Sequence, residues 1–269
     1  MIIVDVKGGL CDRMQVLDSA FGLARDLNRP VCVPWLINSG LGARFDQLFE
    51  VNKLTHEFRY FNHPDHVQEF ISSRSPSIVF RRTFPWSWES TIEFRDQFQD
   101  LEKLRSHQVI VVRSYERFYA NKEQFSDFIP KSHLQTKIAD IVAKFGNTVG
   151  VHIRRTDNAA AARDSRTEHF LKMMDNISNE VDNFFVATDD PHEEAFLRDR
   201  FRVVTHQKRS LDRSTVEALE DAAIDLYCLA ATRQLIGSHG SSFTHVAAQL
   251  YGIPLRKAGY RHHLTWAGF

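Results

Sequence analysis

Cysteine is scarce in this sequence of 269 residues, which contains only Cys11, Cys32 and Cys228. The three are far apart and each stands beside apolar residues, so neither a disulfide framework nor a zinc site with paired cysteines is indicated. Isolated thiols in odd number are typical of a reducing compartment. The sequence therefore predicts a cytoplasmic protein with reduced cysteines.

An excess of charge of either sign is also missing. Lysine and arginine total 34, aspartate and glutamate total 34, and the formal net charge near neutral pH is zero. Such a chain has no overall field that would attract a polyanion, which argues against nucleic acid as a main partner. With 43% hydrophobic residues and no low-complexity tract, the chain is expected to fold.

Long hydrophobic runs are absent as well. No stretch of the sequence has the length of a membrane-spanning helix, so no transmembrane segment is expected. The opening residues, MIIVDVKGGL, have a short apolar run without a basic leader or a small-residue cleavage pattern. We do not interpret them as a signal peptide.

What the sequence does contain is an alternation of short apolar runs and helical patterns. The first runs are IIVDV at 2–6 and VCV at 31–33, separated by a glycine turn and a helical pattern from about Met14 to Leu27. Further apolar runs lie at 109–113, 148–153, 184–188, 202–205 and 234–238, with helical patterns near 134–142, 167–180, 191–200, 214–231 and 242–251. This alternation predicts an α/β protein with parallel sheets.

The alternation occurs in two series, one at the start of the chain and one from Thr148 onward, with a change of pattern between about residues 120 and 146. We therefore predict two doubly wound halves, with domains at 1–145 and 146–269. From about residue 36 to 106 the pattern is loose and rich in aromatic residues, and few elements are predicted there.

The second series places polar residues after three of its strands. They are His152, Arg154, Arg155, Thr156 and Asp157 after the first, Thr188, Asp189 and Asp190 after the next, and Ser238, His239, Gly240, Ser241 and Ser242 after the last. Ligands of open parallel sheets bind beyond the carboxyl ends of the strands. We therefore expect one crevice to collect all three sets.

The adjacent Arg154 and Arg155 suggest an anion as ligand. Arginine presents a planar set of donors that holds a phosphate through two hydrogen bonds, and it stays charged at physiological pH. The alternative is a surface ion pair with Asp157. The position at the end of a strand favours the phosphate interpretation.

The turn SHGSS, residues 238–242, fits the same kind of ligand. Gly240 allows a close approach of the backbone, and Ser241 and Ser242 stand where a helix begins, whose N-terminal amides attract phosphate. The turn alone is a weak signal, because similar Ser-Gly-Ser turns cap many structural helices.

The acidic residues of the second series have simpler interpretations. Asp190 before Pro191, with acids in the next turn, is typical of a helix N-cap, so no metal site is predicted there. Glu217, Asp221 and Asp225 recur four residues apart on one helix face, which is usually the solvated side. Asp225 could instead point into the crevice and accept hydrogen bonds from a nucleobase.

The segment FRRTFPWSWES at 80–90 contains Phe80, Phe84, Trp86 and Trp88. Aromatic faces stack on sugar rings, so a platform for an acceptor sugar is one interpretation. Packing under a loop is the other, and it is the more common.

Several of these motifs together resemble a known family. VHIRRTD, FVATDDP and STVEALEDAAIDLYCLAATRQLIGSHGSS are similar to the motif regions of the α1,6-fucosyltransferases that modify N-glycan cores and of the rhizobial nodulation fucosyltransferases. KGGLCDRM resembles the first glycine turn of the wider superfamily, which includes the protein O-fucosyltransferases. The resemblance covers roughly residues 1–30 and 146–252.

The resemblance implies a GT-B architecture, in which two Rossmann-like halves face a cleft and the C-terminal half binds the nucleotide sugar. It further implies transfer of L-fucose from GDP-fucose to a glycan hydroxyl, with inversion at the sugar carbon and without a cofactor or metal ion. The expected partners are GDP-fucose and an oligosaccharide acceptor.

The resemblance also assigns roles to residues. Arg154 matches the arginine that neutralises the β-phosphate of the leaving GDP, while Asp157 and Asp225 match aspartates that contribute to guanosine or donor recognition. Together with the residues chosen above, the predicted donor site comprises Gly8, Gly9, His152, Arg155, Asp157, Asp225, Ser238, Gly240, Ser241 and Ser242.

One position departs from the family pattern. The glutamate proposed there as the catalytic base is replaced in this sequence by Ala162. Asp164 could take its place, as could Asp12 or Asp18 from the other half, or Glu168. The catalytic candidates are Arg154, Asp164 and Asp12. A GT-B transferase that uses another nucleotide sugar, a non-catalytic nucleotide-sugar-binding protein and a structural α/β protein remain alternatives.

Overall fold

The computed structural model describes residues 1–53, 57–62, 78–81, 88–156 and 158–259. The chain divides into two compact units. Unit 1 comprises Met1–Lys131 and Arg213–Leu219, and unit 2 comprises Ser132–Asp212 and Glu220–Phe269. Each unit contains a five-stranded sheet, and the strands of both sheets pair in parallel. The predicted α/β class with parallel sheets is confirmed.

Unit 1 begins with a strand, a helix and a second strand, as the sequence predicts. Its elements are β1 (Ile2–Val6), α1 (Leu10–Leu27), β2 (Val31–Pro34), α2 (Phe45–Leu48), a 3-10 turn (Val51–Lys53), β3 (Phe58–Phe61), β4 (Ile78–Arg81), α3 (Trp88–Asp96), α4 (Leu101–Arg105) and β5 (Ile110–Ser114). The sheet has the order β3-β2-β1-β5-β4. Apart from the partly buried, paired Asp5 and Arg113, the inner strands β1 and β5 are buried and mostly apolar, as expected of parallel strands covered on both faces.

Unit 2 repeats the alternation in a longer series. Its elements are α5 (Ser132–Val142), β6 (Thr148–Ile153), α6 (Ala159–Asp164), α7 (Thr167–Asp175), β7 (Asn183–Thr188), α8 (Pro191–Arg200), β8 (Val203–Val204), α9 (Val216–Ala230, whose first turn belongs to unit 1), β9 (Leu235–Ser238), α10 (Ser242–Leu250) and β10 (Leu255–Ala258). The sheet has the order β10-β9-β6-β7-β8.

The central strand β6 is buried along its whole length and separates two packing faces. Alternate residues point to the same face of a strand. A core on one face joins Val149, Val151, Ile153, Phe184, Val186 and Ile236 of the sheet to Phe170, Met174 and Leu197 of α7 and α8. The other face carries His152, and there a β-carbon on Gly150 would meet Leu229 of α9. His152 is thus placed on the α9 face of the sheet.

The helix α1 carries a charged group into the interior of unit 1. Asp18 has no exposed surface, and its carboxylate contacts Arg117 Nη1 at 2.6 Å. It also accepts hydrogen bonds from Asn121 Nδ2 at 2.7 Å and from the Phe125 amide at 2.6 Å. Burial raises the pKa of Asp18, while Arg117 and these donors oppose the rise. Its complete enclosure argues against Asp18 as a base that meets a substrate.

Unit 1 is completed by a segment from late in the sequence. The Gly42 amide donates to the Arg213 carbonyl at 2.7 Å. A β-carbon on Gly42 would lie 2.0 Å from the Ser214 carbonyl oxygen, so the backbones approach as closely as only glycine permits. Residues 213–219 are therefore an integral part of the first unit.

Helix and strand ends differ from the prediction at three places. α1 begins at Leu10 rather than near Met14, because the Asp12 carboxylate accepts the Gly9 amide and caps the helix at the glycine turn. α7 ends at Asp175, since the Asn-rich residues after it favour turns over helix. The strand predicted at 202–205 is reduced to Val203–Val204 at an edge of the sheet.

Two expectations concern the chain as a whole. The division between the compact units falls at Lys131 and Ser132, ahead of α5. The domains at 1–145 and 146–269, with their roles on the acceptor and donor sides, stay predictions. Within the described ranges, no helix combines the length and the apolar character that crossing a membrane would require.

Candidate functional site

The second sheet has a point at which the chain changes direction, between β6 and β9. From β6 the chain passes through β7 to β8 on one side, and it then returns through α9 to β9 and β10 on the other. The loops after β6 and β9 therefore diverge, and open α/β sheets bind ligands in the crevice at such a point. Two of the three polar motifs of the sequence follow these two strands.

Ser238 joins the ends of the two strands. Its hydroxyl oxygen accepts a hydrogen bond from the Arg154 amide at 2.9 Å and donates to the His152 carbonyl at 3.4 Å. Ser238 has no exposed surface. It supports the backbone from which Arg154 projects, and the contact between its hydroxyl and the donor stays a prediction.

Asp189, directly after β7, organises the loop that follows β6. Its carboxylate accepts hydrogen bonds from the amides of Arg155 (2.8 Å) and Thr156 (3.3 Å) and from the Thr156 hydroxyl (2.8 Å). The same group contacts Arg154 Nη1 at 2.9 Å. Burial alone would raise the pKa of Asp189, but Arg154 and these donors hold it below its ordinary value. The ionised carboxylate therefore fixes both the loop and the first arginine.

The guanidinium of Arg154 lies at the carboxyl edge of the sheet and is not in bulk water. The side chain is 17% exposed, and Asp189 contacts one of its nitrogen atoms. This is the position that the sequence predicts for a phosphate-binding group. The ion pair does not exclude that role, because a guanidinium has five N–H donors and can hold a carboxylate on one edge and a phosphate on another.

Arg155 is committed to contacts inside unit 2. Its Nε donates to Glu193 Oε1 at 2.6 Å, and Nη1 donates to the Ser165 carbonyl at 2.8 Å. Nη2 donates to the Thr167 hydroxyl at 3.2 Å, and the guanidinium lies over the ring of Phe170. These contacts tie the loop after β6 to α7 and α8. They give Arg155 a structural role, and its contact with the donor stays a prediction.

His152, near the end of β6, is buried and neutral. Its Nδ1 forms a hydrogen bond with Thr244 Oγ1 at 2.7 Å, and its ring stacks on Phe243 with the centroids 4.7 Å apart. Burial, together with the charge of Arg154, lowers the pKa of His152 to about 3. The histidine thus holds the first turn of α10 against the sheet, and its contact with a donor stays a prediction.

Acidification should destabilise the protein through His152 and His245. Burial, together with the charge of Lys257, lowers the pKa of His245 to about 4. Because an unfolded histidine titrates near 6.5, the unfolded chain takes up protons first as the pH falls. The free energy of unfolding should therefore drop from about pH 6.5 downward, by roughly 1 kcal/mol for each histidine at about pH 5.5.

Melting curves at about pH 7.5 and 5.5 check this expectation. His245→Asn should reduce the loss of melting temperature on acidification, because the residue that must stay neutral is gone. His192→Asn, at an exposed position of α8, is the matched control and should keep the full loss. An unchanged loss in the His245 variant would contradict the assignment.

The turn after β9 leads directly into α10. Gly240 has a φ of 66°, a left-handed conformation that favours glycine, and its carbonyl accepts a hydrogen bond from Asn158 Nδ2 at 3.3 Å. Ser241 occupies the N-cap position, yet no side-chain hydrogen bond caps the helix, which starts at Ser242. The first amides of a helix have no intrahelical acceptor and give its N-terminus a positive potential. This turn therefore suits an anion, as the sequence predicts.

Asp190 caps α8, as the sequence predicts. Its Oδ1 accepts the His192 amide at 2.9 Å, and Pro191 stands in the first helical turn. In the part of the chain that the structure describes, no group of three or more His, Cys, Asp or Glu residues could hold a metal ion. The acids of this turn act at a helix terminus.

The acidic stripe of α9 is buried at its later members, so its interpretation as the solvated side of the helix is wrong. Asp221 is 1% exposed and Asp225 is 4% exposed. Asp221 accepts hydrogen bonds from the Arg209 amide at 2.6 Å and from its Nε at 2.9 Å, and it lies 3.1 Å from His206 Nε2. Asp225 Oδ2 lies 3.2 Å from Lys208 Nζ. Both carboxylates face the loop between β8 and α9.

The two acidic candidates for the base are engaged by neighbouring groups. Asp164 accepts hydrogen bonds from Arg163 Nε at 2.6 Å and Nη2 at 3.0 Å, which hold its pKa below the ordinary range. His239 Nδ1 lies 3.9 Å from the same carboxylate. Asp12 belongs to unit 1, where its Oδ2 accepts the Gly9 amide at 3.1 Å. The contacts with Arg163 make Asp164 a weaker base than a free carboxylate.

Gly8 and Gly9 form the turn between β1 and α1 in unit 1. The Gly9 amide donates to Asp12, and the Gly8 carbonyl accepts a hydrogen bond from Arg13 Nε at 3.0 Å. Arg13 is 2% exposed, and its Nη1 donates to the Leu36 carbonyl at 2.8 Å. Side chains of α1 thus hold the turn, and its contact with the donor stays a prediction.

Some of the predicted features lie outside the described residues. They are Asp157, from the donor site, and Phe84 and Trp86, from the aromatic segment. Phe80 of that segment is 6% exposed and packs on Phe98 with ring centroids 4.6 Å apart. For Phe80 the structure favours packing over a sugar platform.

Sequence reasoning missed Ser165, Thr244 and Lys208. Ser165 is fully buried, and its hydroxyl accepts the His239 amide at 2.8 Å and donates to the Ala258 carbonyl at 2.7 Å. No motif marks these residues, because their partners are distant in the sequence. Lys208 could have been recognised from the sequence. It follows the predicted strand at 202–205, just as the recognised motifs follow other strands of the second series.

Comparison with known proteins gives matches in structure. No protein-family model and no curated protein matches the sequence. The NodZ α1,6-fucosyltransferase soaked with GDP-fucose is 20% identical, with 93% of this chain and 92% of that chain covered and a TM-score of 0.63. A variant of Arabidopsis thaliana FUT1 in complex with GDP is 14% identical, with coverage of 95% and 69% and a TM-score of 0.63. POFUT1 in complex with GDP-fucose is 14% identical, with coverage of 96% and 98% and a TM-score of 0.60.

Similarity at these identities concerns the fold. The match extends over nearly the whole chain and includes both parallel sheets. An α/β protein with two parallel sheets is the coarser part of what the resemblance of the sequence motifs implies. This protein therefore has the fold of the fucosyltransferases NodZ, FUT1 and POFUT1.

Proposed function

We propose that this protein is a fucosyltransferase, which moves L-fucose from GDP-fucose to a hydroxyl group of a glycan. The observation that carries the proposal is the placement of Arg154 at the carboxyl edge of the second sheet, where its amide is bonded to Ser238 of β9, the strand that leads into the N-terminal turn of α10. That combination suits a diphosphate. The sequence motifs that supply it resemble those of fucosyltransferases, and the structures with this fold include complexes with GDP-fucose.

Arg154 stabilises the leaving group in the proposed reaction. When the bond between the sugar and the phosphate breaks, negative charge develops on the departing GDP, and a guanidinium already in place lowers the energy of that state. Asp189 holds Arg154 before the substrate arrives, so less ordering of a long side chain is needed on binding. The amides at the start of α10 add positive potential, and the reaction can proceed without a divalent ion.

The roles of the remaining donor-site residues follow from their positions and, for Asp157 and Asp225, from the resemblance of the sequence motifs. Gly240, Ser241 and Ser242 are proposed to bind the phosphates through the turn and the first amides of α10. Asp225 and Asp157 are proposed to recognise the guanosine. His152 contributes by keeping α10 in place beneath the site.

Asp164 is our proposed base, with Asp12 as the second candidate. Inversion requires a group that takes the proton of the acceptor hydroxyl on the face opposite the phosphate. The Asp164 side chain is 36% exposed, and its partner Arg163 is 72% exposed. Solvent screens an exposed ion pair and makes it weak, so Arg163 can move away when an acceptor binds.

The GT-B arrangement, with two halves facing a cleft, is part of the same proposal. So are an oligosaccharide acceptor, a cytoplasmic location and inversion without a metal ion. The resemblance of the motifs supports the arrangement, the acceptor and the metal-free inversion, whereas the argument for the location is the small number of isolated cysteines.

Nucleotide binding tests the proposal directly. GDP should raise the melting temperature, since a ligand stabilises the folded state by about 2.7 kcal/mol at a hundred times its dissociation constant. UDP, ADP and CDP should not raise it, because the site is proposed to bind GDP. Stabilisation by another nucleotide, without an effect of GDP, would contradict the proposal and favour a transferase of a different sugar donor.

Turnover separates an enzyme from a binding protein. GDP should be released from GDP-fucose only when an oligosaccharide with a suitable hydroxyl is added. Binding of GDP without release for any acceptor in a broad panel would favour the non-catalytic alternative, for which the replacement of the family glutamate by Ala162 is the motivating observation.

A further inference from the structure

Lys208 and Asp225 form a charged pair inside unit 2. Lys208 Nζ lies 3.2 Å from Asp225 Oδ2 and 4.0 Å from Glu194 Oε2, and the side chains of Lys208 and Asp225 are 15% and 5% exposed. Removing an ammonium and a carboxylate from water is unfavourable unless their remaining hydrogen-bonding capacity is also satisfied. Such a pair calls for a reason beyond stability.

One oxygen atom of this pair is left unused. Asp225 Oδ1 is buried and has no hydrogen-bond partner among the residues that the structure describes. Burial raises the pKa of Asp225, whereas the charge of Lys208 opposes the rise. Buried polar atoms are nearly always hydrogen-bonded in folded proteins, so an unpartnered acceptor points to a group supplied from outside the chain.

The pair lies near the candidate donor site. Lys208 belongs to the loop after β8, and its charge contributes to the lowered pKa of His152 on β6. Asp225 lies on α9, which leads into β9 and the SHGSS turn. Glu194, which Lys208 approaches, lies in the first turn of α8, and α8 follows Asp189, the residue that contacts Arg154.

We propose that Lys208 determines which nucleotide the donor site accepts, by donating a hydrogen bond to a ring carbonyl while Asp225 accepts from adjacent ring N–H groups. This inference rests on the proposed function. Lys208 supplies only donors, and the Asp225 carboxylate supplies two acceptors. The pair is therefore complementary to a base edge that has one acceptor followed by two donors.

Guanine has that order, with O6 next to N1–H and the 2-amino group. Adenine carries an amino group where guanine has O6, and this donor would face the ammonium of Lys208. Cytosine also places an amino group there, and uracil has only one ring donor, between two carbonyls. Binding of adenine, cytosine or uracil would leave Lys208 or Asp225 buried without a hydrogen-bond partner, and this cost selects against these bases.

Titration calorimetry with GDP, IDP and ADP tests the proposal. IDP keeps the ring carbonyl but lacks the 2-amino group, and ADP lacks the carbonyl. Lys208→Met should weaken binding of GDP and of IDP by the same factor, about tenfold to a hundredfold, because one hydrogen bond to a charged group is lost. The already weak binding of ADP should not fall further. Lys172→Met, at an exposed position of α7, is the matched control and should bind all three as the wild type does.

A purely structural role of Lys208 predicts a different pattern. If the role is structural, Lys208→Met would lower the melting temperature and weaken the binding of all three nucleotides by the same factor. Either that result or unchanged affinities would overturn the proposal. If Lys208→Met does not fold, Lys208→Gln replaces it, since the amide can still pair with Asp225 and should show the same pattern with a smaller loss. A wild-type protein that fails to bind GDP would overturn the proposed function itself.

Discussion

Replacing Arg154 by alanine should lower the rate of fucose transfer by about a thousandfold. Asp189 holds the guanidinium in place, so the wild-type protein meets the leaving GDP with a fixed positive charge. The variant loses the stabilisation of the charge that develops on the β-phosphate. Arg154→Lys should recover only part of the rate, because an ammonium lacks the planar pair of donors. The measurement is kcat and kcat/KM for GDP release from GDP-fucose.

Arg200→Ala is the control for this experiment. Arg200 belongs to the same unit, is 49% exposed and pairs with Asp175 at 2.8 Å, and exposed pairs of this kind contribute little. Its removal should leave turnover unchanged. Wild-type kinetics in Arg154→Ala, with an intact fold by circular dichroism, would remove the basis of the proposed function.

Replacing Asp18 by alanine should lower the free energy of unfolding by about 3–5 kcal/mol. The carboxylate has no exposed surface, and its removal leaves the guanidinium of Arg117 buried without its counter-charge. The Asn121 side chain and the Phe125 amide lose an acceptor at the same time. Urea unfolding followed by fluorescence or circular dichroism gives the change.

Asp96→Ala, at an exposed position near the end of α3 in the same unit, should change stability by less than about 0.5 kcal/mol. A second comparison isolates the charge, because Asp18→Leu combined with Arg117→Met removes both partners and should recover much of the loss. A small effect of Asp18→Ala would mean that the pair of Asp18 and Arg117 does not contribute to the stability of unit 1.

The sequence predicts best where the physical cause is local. The apolar run at 148–153 becomes β6 as expected, because a strand in the middle of a parallel sheet is buried on both faces. Asp190 and Pro191 start α8 because an N-cap depends on residues within a few positions of one another. Even the position of Arg154 at the sheet edge follows from where its strand ends.

Prediction fails where partners are distant in the sequence. The pattern on α9 suggests a solvated stripe, yet Asp221 and Asp225 are buried by residues of the loop 205–212. Arg155 is adjacent to Arg154 and chemically identical, but β6 turns the two side chains toward different partners. Neither outcome is visible in a residue pattern, because each depends on how strands and helices pack.

The residues around Gly42 bear on how the protein forms during synthesis. The chain leaves the first unit at Lys131 and returns to it at Arg213, so the first sheet emerges from the ribosome well before the segment on which Gly42 packs. Domains that are continuous in sequence can fold as they emerge from the ribosome. Unit 1, in contrast, can be completed only after the chain has been synthesised as far as Leu219. A truncated gene that ends at Lys131 should therefore yield an incomplete fragment, which a separate peptide spanning 213–219 could complement.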